Sequence, residues 1–104
     1  MSTTLNIFED SGWSDATGIM SGFKQKILHD ENGMTTLLLK CPAGSTIPAN
    51  SHPFVEENII LKGSFLQEGK VIPAGTFQRY EPGEVHGPFE CREEVLGIIR
   101  YYPR

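Results

Sequence analysis

In "PANSHPFVEENIILKG", residues 48 to 63, His52 stands two residues after Asn50 and four before Glu56. Side chains alternate faces along an extended strand, so these three share a parity and can point the same way. They can do so on one strand or on two joined at "PF" (53–54), where Pro53 cannot donate to a ladder. Neutral imidazole nitrogen and carboxylate oxygen are ligands that divalent metals take. A second histidine, His86, follows the turn "EPGEVH", in which Gly83 allows a sharp backbone turn. The same residue types also suit a buried histidine–glutamate pair that is simply hydrogen-bonded. Residue types alone leave both readings open.

The elements that must position these groups read as strands. "TLNIF" (4–8), "KQKIL" (24–28), "MTTLLLKC" (34–41), "ENIILKGSF" (57–65), "TFQRY" (76–80) and "EVLGIIRYY" (94–102) are rich in β-branched, aromatic and aliphatic residues. Glycine and proline punctuate the gaps at "DENG", "CPAGSTIP", "QEGK", "IPAG" and "EPGE", and "DENG" (30–33) predicts a hairpin loop. Residues 9 to 22 read as loop with at most one helical turn, since no segment sustains a 3.6-residue apolar period. Short strands broken by frequent turns predict an all-β antiparallel sandwich or barrel, which can either fill its interior with side chains or keep one end open to a small molecule. A single domain over residues 1–104 is expected, with an N-terminal strand and loop to about residue 22 and the barrel over 23–104. The edges of so small a sheet need cover, so the N-terminal strand is expected to pair with a second copy in a homodimer.

The bulk properties exclude some partners. The net charge of −4 and the scattered lysines and arginines argue against nucleic acid or an anionic membrane. No apolar run approaches the ~18 residues of a membrane span, and "MSTTLNIFED" has no signal-peptide pattern. Cys41 and Cys91 form no C-x-x-C pair and read as two reduced, partly buried thiols, consistent with a cytoplasmic protein.

At the level of motifs the chain resembles the cupin superfamily. Gly44, five residues, Asn50, Ser51, His52, three residues, Glu56, six residues and Gly63 reproduce the spacing of the first cupin motif, G-x5-H-x-H-x3,4-E-x6-G, with Asn50 where its first histidine is expected. In "GTFQRYEPGEVHGPFE", Gly75, Gly83 and His86 are in register with the second motif. Glu81 stands at its proline position, Pro82 comes one residue late, and Glu90 replaces its terminal asparagine. Trp13 in a loop, "GFKQKILHDENGMTTLLLKCPAGS", the "EE" pair and "IPAGTFQRYEPGEVHGPF" look like the ChrR-like cupins, a group that includes the cupin half of an anti-sigma factor and acetylacetone-cleaving dioxygenases.

That resemblance implies a small antiparallel β-barrel (double-stranded β-helix, or jelly roll) with a divalent metal inside: iron, zinc, nickel or manganese. It matches His52, Glu56 and His86 to ligand positions. Asn50 also falls at a ligand position, where it would complete the site as an oxygen ligand, hold a metal-bound water, or mark a weakened site. Glu57 has the opposite parity and reads as a rim carboxylate. Alternation turns one of Arg79 and Tyr80 inward, and an inward Arg79 would pair an anionic substrate. Tyr101 and Phe77 are further candidates for the substrate pocket, whose apolar walls would be drawn from Ile60, Phe65, Phe77, Phe89 and Ile98. The implied activity is metal-dependent dioxygenation of a small chelating diketone or enol. A metal- or ligand-binding sensor and a cupin isomerase or hydrolase are the alternatives.

Overall fold

A computed structural model describes residues 2–103. The strands are β1 (Ser14–Asp15), β2 (Lys24–Glu31), β3 (Met34–Cys41), β4 (Thr46–Ile47), β5 (Val55–Lys62), β6 (Ser64–Gln67), β7 (Lys70–Pro73), β8 (Phe77–Tyr80), β9 (Phe89–Glu90) and β10 (Val95–Tyr102), with one 3-10 turn at Gly18–Met20. They form an antiparallel six-stranded sheet, β1-β2-β3-β10-β5-β8, and a four-stranded sheet, β4-β9-β6-β7. The all-β expectation holds. Residues 4 to 8 depart from it: they form no strand, and the first strand is the two-residue β1.

Two hairpins show why the chain turns where it does. Asn32 and Gly33 have φ of 53° and 78°, and Glu68 and Gly69 have 51° and 79°. Positive φ at both central residues is what a two-residue hairpin needs to match the twist of its strands. The "DENG" and "QEGK" stretches therefore close β2 on β3 and β6 on β7. Gly63 ends β5 at φ +80°, and a Cβ there would lie 2.3 Å from the Glu94 carbonyl oxygen. Glycine is thus required at this motif position both by conformation and by space.

Alternation along the long strands builds the core. Leu37, Leu39 and Cys41 of β3, Ile60 of β5, and Val95 and Ile99 of β10 are buried together, with Ile47 and Cys91 closing from the other side. Phe65, Ile72 and Phe89 of the smaller sheet pack against them. The opposite face of the large sheet is covered near Leu38, which is fully buried. There Lys26 Nζ donates to the Glu9 carbonyl (2.7 Å), and Trp13 lies against the ammonium groups of Lys40 and Lys26 at 4.3 and 4.9 Å. Trp13 therefore ties the N-terminal loop to the sheet. No helix among the described residues is long and apolar enough to cross a membrane.

Candidate metal centre

His52, in the β4–β5 connection, Glu56 on β5 and His86, in the β8–β9 connection, each offer a ligand atom, and these atoms all lie within 4.8 Å of one another. Glu56 Oε1 is 2.9 Å from His52 Nε2 and 3.6 Å from His86 Nε2. The two connecting segments are fixed by main-chain hydrogen bonds. Asn50 and His86 exchange both N–H···O bonds at 2.9 Å, and Gly83 N–H donates to the His52 carbonyl at 2.8 Å. Residues far apart in sequence are thus held by backbone rather than by side-chain contacts that a ligand would have to displace.

Neighbouring groups orient each of the three. Asn58, two residues on from Glu56 and on the same face of β5, donates from Nδ2 to Glu56 Oε2 at 2.8 Å, which leaves Oε1 facing the histidines. His86 Nδ1 lies 3.2 Å from the Glu84 carbonyl. A carbonyl only accepts, so in the neutral ring Nδ1 carries the proton and Nε2 keeps its lone pair. Tyr80 stacks on this ring at 4.1 Å between centroids. Its hydroxyl accepts from Gln67 Nε2 (2.8 Å), and Gln67 Oε1 in turn accepts from Gln78 Nε2 (2.6 Å). His52 stacks on Phe54 at 4.7 Å and meets Tyr101 edge-on at 5.5 Å. Burial holds His52 below the usual imidazole range; the Glu56 carboxylate opposes that shift, and His86 adds to it. A neutral imidazole is the form that coordinates a metal. Burial, with a smaller contribution from Glu56, pushes the Tyr101 hydroxyl up, so it stays protonated beside the cluster.

Parity decides the remaining candidates. Glu57 faces the other side of β5, where it accepts from Tyr102 Oη at 2.9 Å and lies 3.4 Å from Arg79 Nε. Arg79 also pairs with Glu81. On β8 it is Tyr80, not Arg79, that turns inward, so Arg79 belongs to the outer face. Phe77 has the parity of Arg79, is 57% exposed, and does not wall the cavity as expected. Tyr101 does reach the cluster, through His52 and Phe54. Asn58 and Tyr80 were not singled out as site residues by the motif spacing. Same-face parity with Glu56 was the available signal for Asn58.

Asn50 borders the same cavity. Its Nδ2 donates to the Pro48 carbonyl at 2.9 Å, which makes Oδ1 the atom left available to a ligand. The cavity runs from Asn50, Glu56, Asn58 and His86 into the space between the sheets, where Ile60, Phe65, Phe89 and Ile99 wall it; Ile98, paired with Leu38 and Ile59, has the outward parity of those two residues. It has about 70 Å3 of accessible room, enough for several waters at roughly 10–15 Å3 each. The donor set fits a divalent ion: the His86 Nε2 lone pair, a His52 Nε2 that would give up its contact with Glu56 to a metal, one carboxylate oriented from behind, and an amide oxygen on the cavity lining.

Known proteins share this architecture. The acetylacetone dioxygenase of Acinetobacter johnsonii superposes with a TM-score of 0.78 at 19% identity, covering 98% of this chain and 75% of that one. The anti-sigma ChrR complex with SigE from Rhodobacter sphaeroides gives 0.73 at 24% identity, with 90% of this chain covering 51% of the matched chain. KdgF from a Halomonas species gives 0.77 at 20% identity, covering 100% and 94%. At these identities the likeness establishes the cupin fold, and the reactions of those proteins remain their own. No curated protein matches the chain in sequence. The family described as the ChrR Cupin-like domain matches residues 2–102, and with nearly the whole chain inside that match, this protein belongs to the ChrR Cupin-like family.

Proposed function

We propose that the chain is a metal-dependent dioxygenase for a small chelating substrate of the diketone or enol type. The observation that carries this reading is the His52–Glu56–His86 cluster, whose buried Glu56 and His86 form the polar end of an otherwise apolar cavity. His52, Glu56 and His86 would hold a divalent ion, with Asn50 Oδ1 as a fourth, neutral donor. Such an ion supplies Lewis acidity toward substrate oxygens and favours the enolate form.

The chain's own residues do the rest. Asn58 keeps Glu56 Oε1 aimed at the histidines. The Glu84 carbonyl fixes the His86 tautomer, and Tyr80 fixes the plane of its ring. Ile60, Phe65, Phe89 and Ile99 wall the space beside the cluster with apolar surface. The likeness to the acetylacetone dioxygenase of A. johnsonii agrees with this class of substrate. The test is oxygen consumption when air is admitted to protein loaded anaerobically with Fe(II) and a diketone and phenol panel. Uptake with a diketone supports the reading, and no uptake across the panel defeats it.

One observation favours a second reading, a non-catalytic metal or ligand sensor. Apart from the groups that would bind the metal, no histidine or carboxylate among the described residues lines the cavity, and Asn58 is an amide. Metal binding without oxygen uptake would select this reading over the first. A homodimer is part of the proposal too. Ile59 and Phe77 are paired neighbours on the outer face of β5 and β8, 43% and 57% exposed, and a second copy would cover them. Light scattering of the purified chain checks its mass.

A further inference from the structure

The cavity has a second cluster of reactive groups, away from the histidines. Cys41 ends β3 and Cys91 follows β9. The chain brings them together through backbone: Gly44 N–H donates to the Cys91 carbonyl at 2.7 Å, and Cys91 N–H donates to the Ser45 carbonyl at 2.9 Å. Both are free thiols, 7% and 3% exposed, both belong to the same packed core, and both line the cavity wall. We propose that Cys41 and Cys91 form a dithiol modification site within the cavity, which a small hydroperoxide closes to a disulfide.

The environment divides the roles. A hydrogen bond from Cys41 holds the Cys91 thiol down at about 7, with burial opposing and Ser45 assisting. The same contact, together with burial, pushes the Cys41 thiol up. Within this proposal Cys91, which also has Ser45 beside it, is the nucleophile and Cys41 the resolving thiol. The Cys91 thiolate attacks one oxygen of the hydroperoxide; an S–O bond forms as the O–O bond breaks, and the leaving alkoxide or hydroxide takes up the proton that Cys91 lost. Cys41 sulfur then attacks the sulfenic sulfur, the S–S bond forms, and the hydroxyl departs with the Cys41 proton as water. In sum, two thiols lose two electrons and two protons, and the hydroperoxide becomes an alcohol and water. The apolar wall admits a small neutral oxidant and excludes bulky or charged thiol reagents.

The test uses the full-length chain without added metal, so its outcome is independent of any metal-based activity. Equimolar hydrogen peroxide should lower the intact mass by two hydrogens, produce a proteolytic peptide linking Cys41 to Cys91 within one chain, and be reversed by dithiothreitol. Cys41→Ser should stop at a dimedone-reactive sulfenic acid on Cys91, whereas Cys91→Ser should slow oxidation of Cys41 at least roughly tenfold. If either variant fails to fold, the linked wild-type peptide decides alone. Unchanged thiols, separate over-oxidation of each sulfur, or a link formed only between chains would overturn the proposal.

Discussion

Glu56 and Glu57 are the same residue type on the same strand, one position apart, and the two faces of β5 give them opposite work. Glu56 is 6% exposed, faces His52 and His86, and has Asn58 behind it. Glu57 faces outward into a set built from Tyr102 and Arg79. Both carboxylates have partners, but on the inner face the one amide donor, Asn58, engages Oε2 and leaves Oε1 toward two imidazoles, groups that can give a lone pair to a cation. The outer set consists of donors, which saturate a carboxylate and leave nothing for a cation. Strand parity, rather than acidity or proximity, therefore separates a ligand from a rim residue. The same rule divides Tyr80 from Arg79 on β8.

The strongest challenge to this contrast is to neutralise each carboxylate in turn. Glu56→Gln should weaken Zn(II) or Fe(II) binding by more than about 100-fold, beyond the usual cost of losing an orienting partner. Glu57→Gln should leave affinity within about twofold, because its face does not touch the cluster. Equal losses in competition titrations with a chelating indicator would erase the distinction. Asn58→Ala sharpens it from behind: the carboxylate stays but loses its orientation, and affinity should fall roughly 10–100-fold.

Asn50→His tests the amide. Replacing a neutral oxygen donor by imidazole should tighten Zn(II) binding about tenfold, or about 1.4 kcal/mol. An unchanged constant would place Asn50 outside the set of donors.

The smallest effect concerns protons. His52 is held below its ordinary value of 6.5, mainly by burial. The unfolded chain therefore binds this proton more readily than the folded one. The stability it contributes is fully present above 6.5 and is lost as pH falls through the lower folded value. The metal-free melting temperature should decline as the pH is lowered below 6.5, and His52→Gln should flatten that decline. An identical pH profile in the variant would assign the titration elsewhere.

Much of this could be read from the residues, and the failures have physical causes. The hairpin at 30–33 and the strand over 34–41 follow from local turn chemistry and β-branched or aliphatic runs, which need no distant partner. His52, Glu56 and His86 follow from motif spacing because backbone hydrogen bonds at Asn50 and Gly83 fix the segments that carry them. The two-residue strands β4 and β9 were not legible, since they exist only through pairing with each other and with β6. "TLNIF" has strand-forming residues but no partner strand, so propensity there leads to nothing regular. Phe77 was misplaced because a large apolar residue suggests a wall, while the alternation that puts Tyr80 inside puts Phe77 outside. The meeting of Cys41 and Cys91 depends on the path of two loops, which neither sequence context carries.

The most direct test of the account is a titration of the metal-free chain with Zn(II) in parallel with Glu56→Gln and Glu57→Gln. The account predicts one ion per chain for the wild type, the same for Glu57→Gln, and a loss of more than about 100-fold in affinity for Glu56→Gln alone. A wild type that takes up no ion, or whose binding survives Glu56→Gln unchanged, would contradict it.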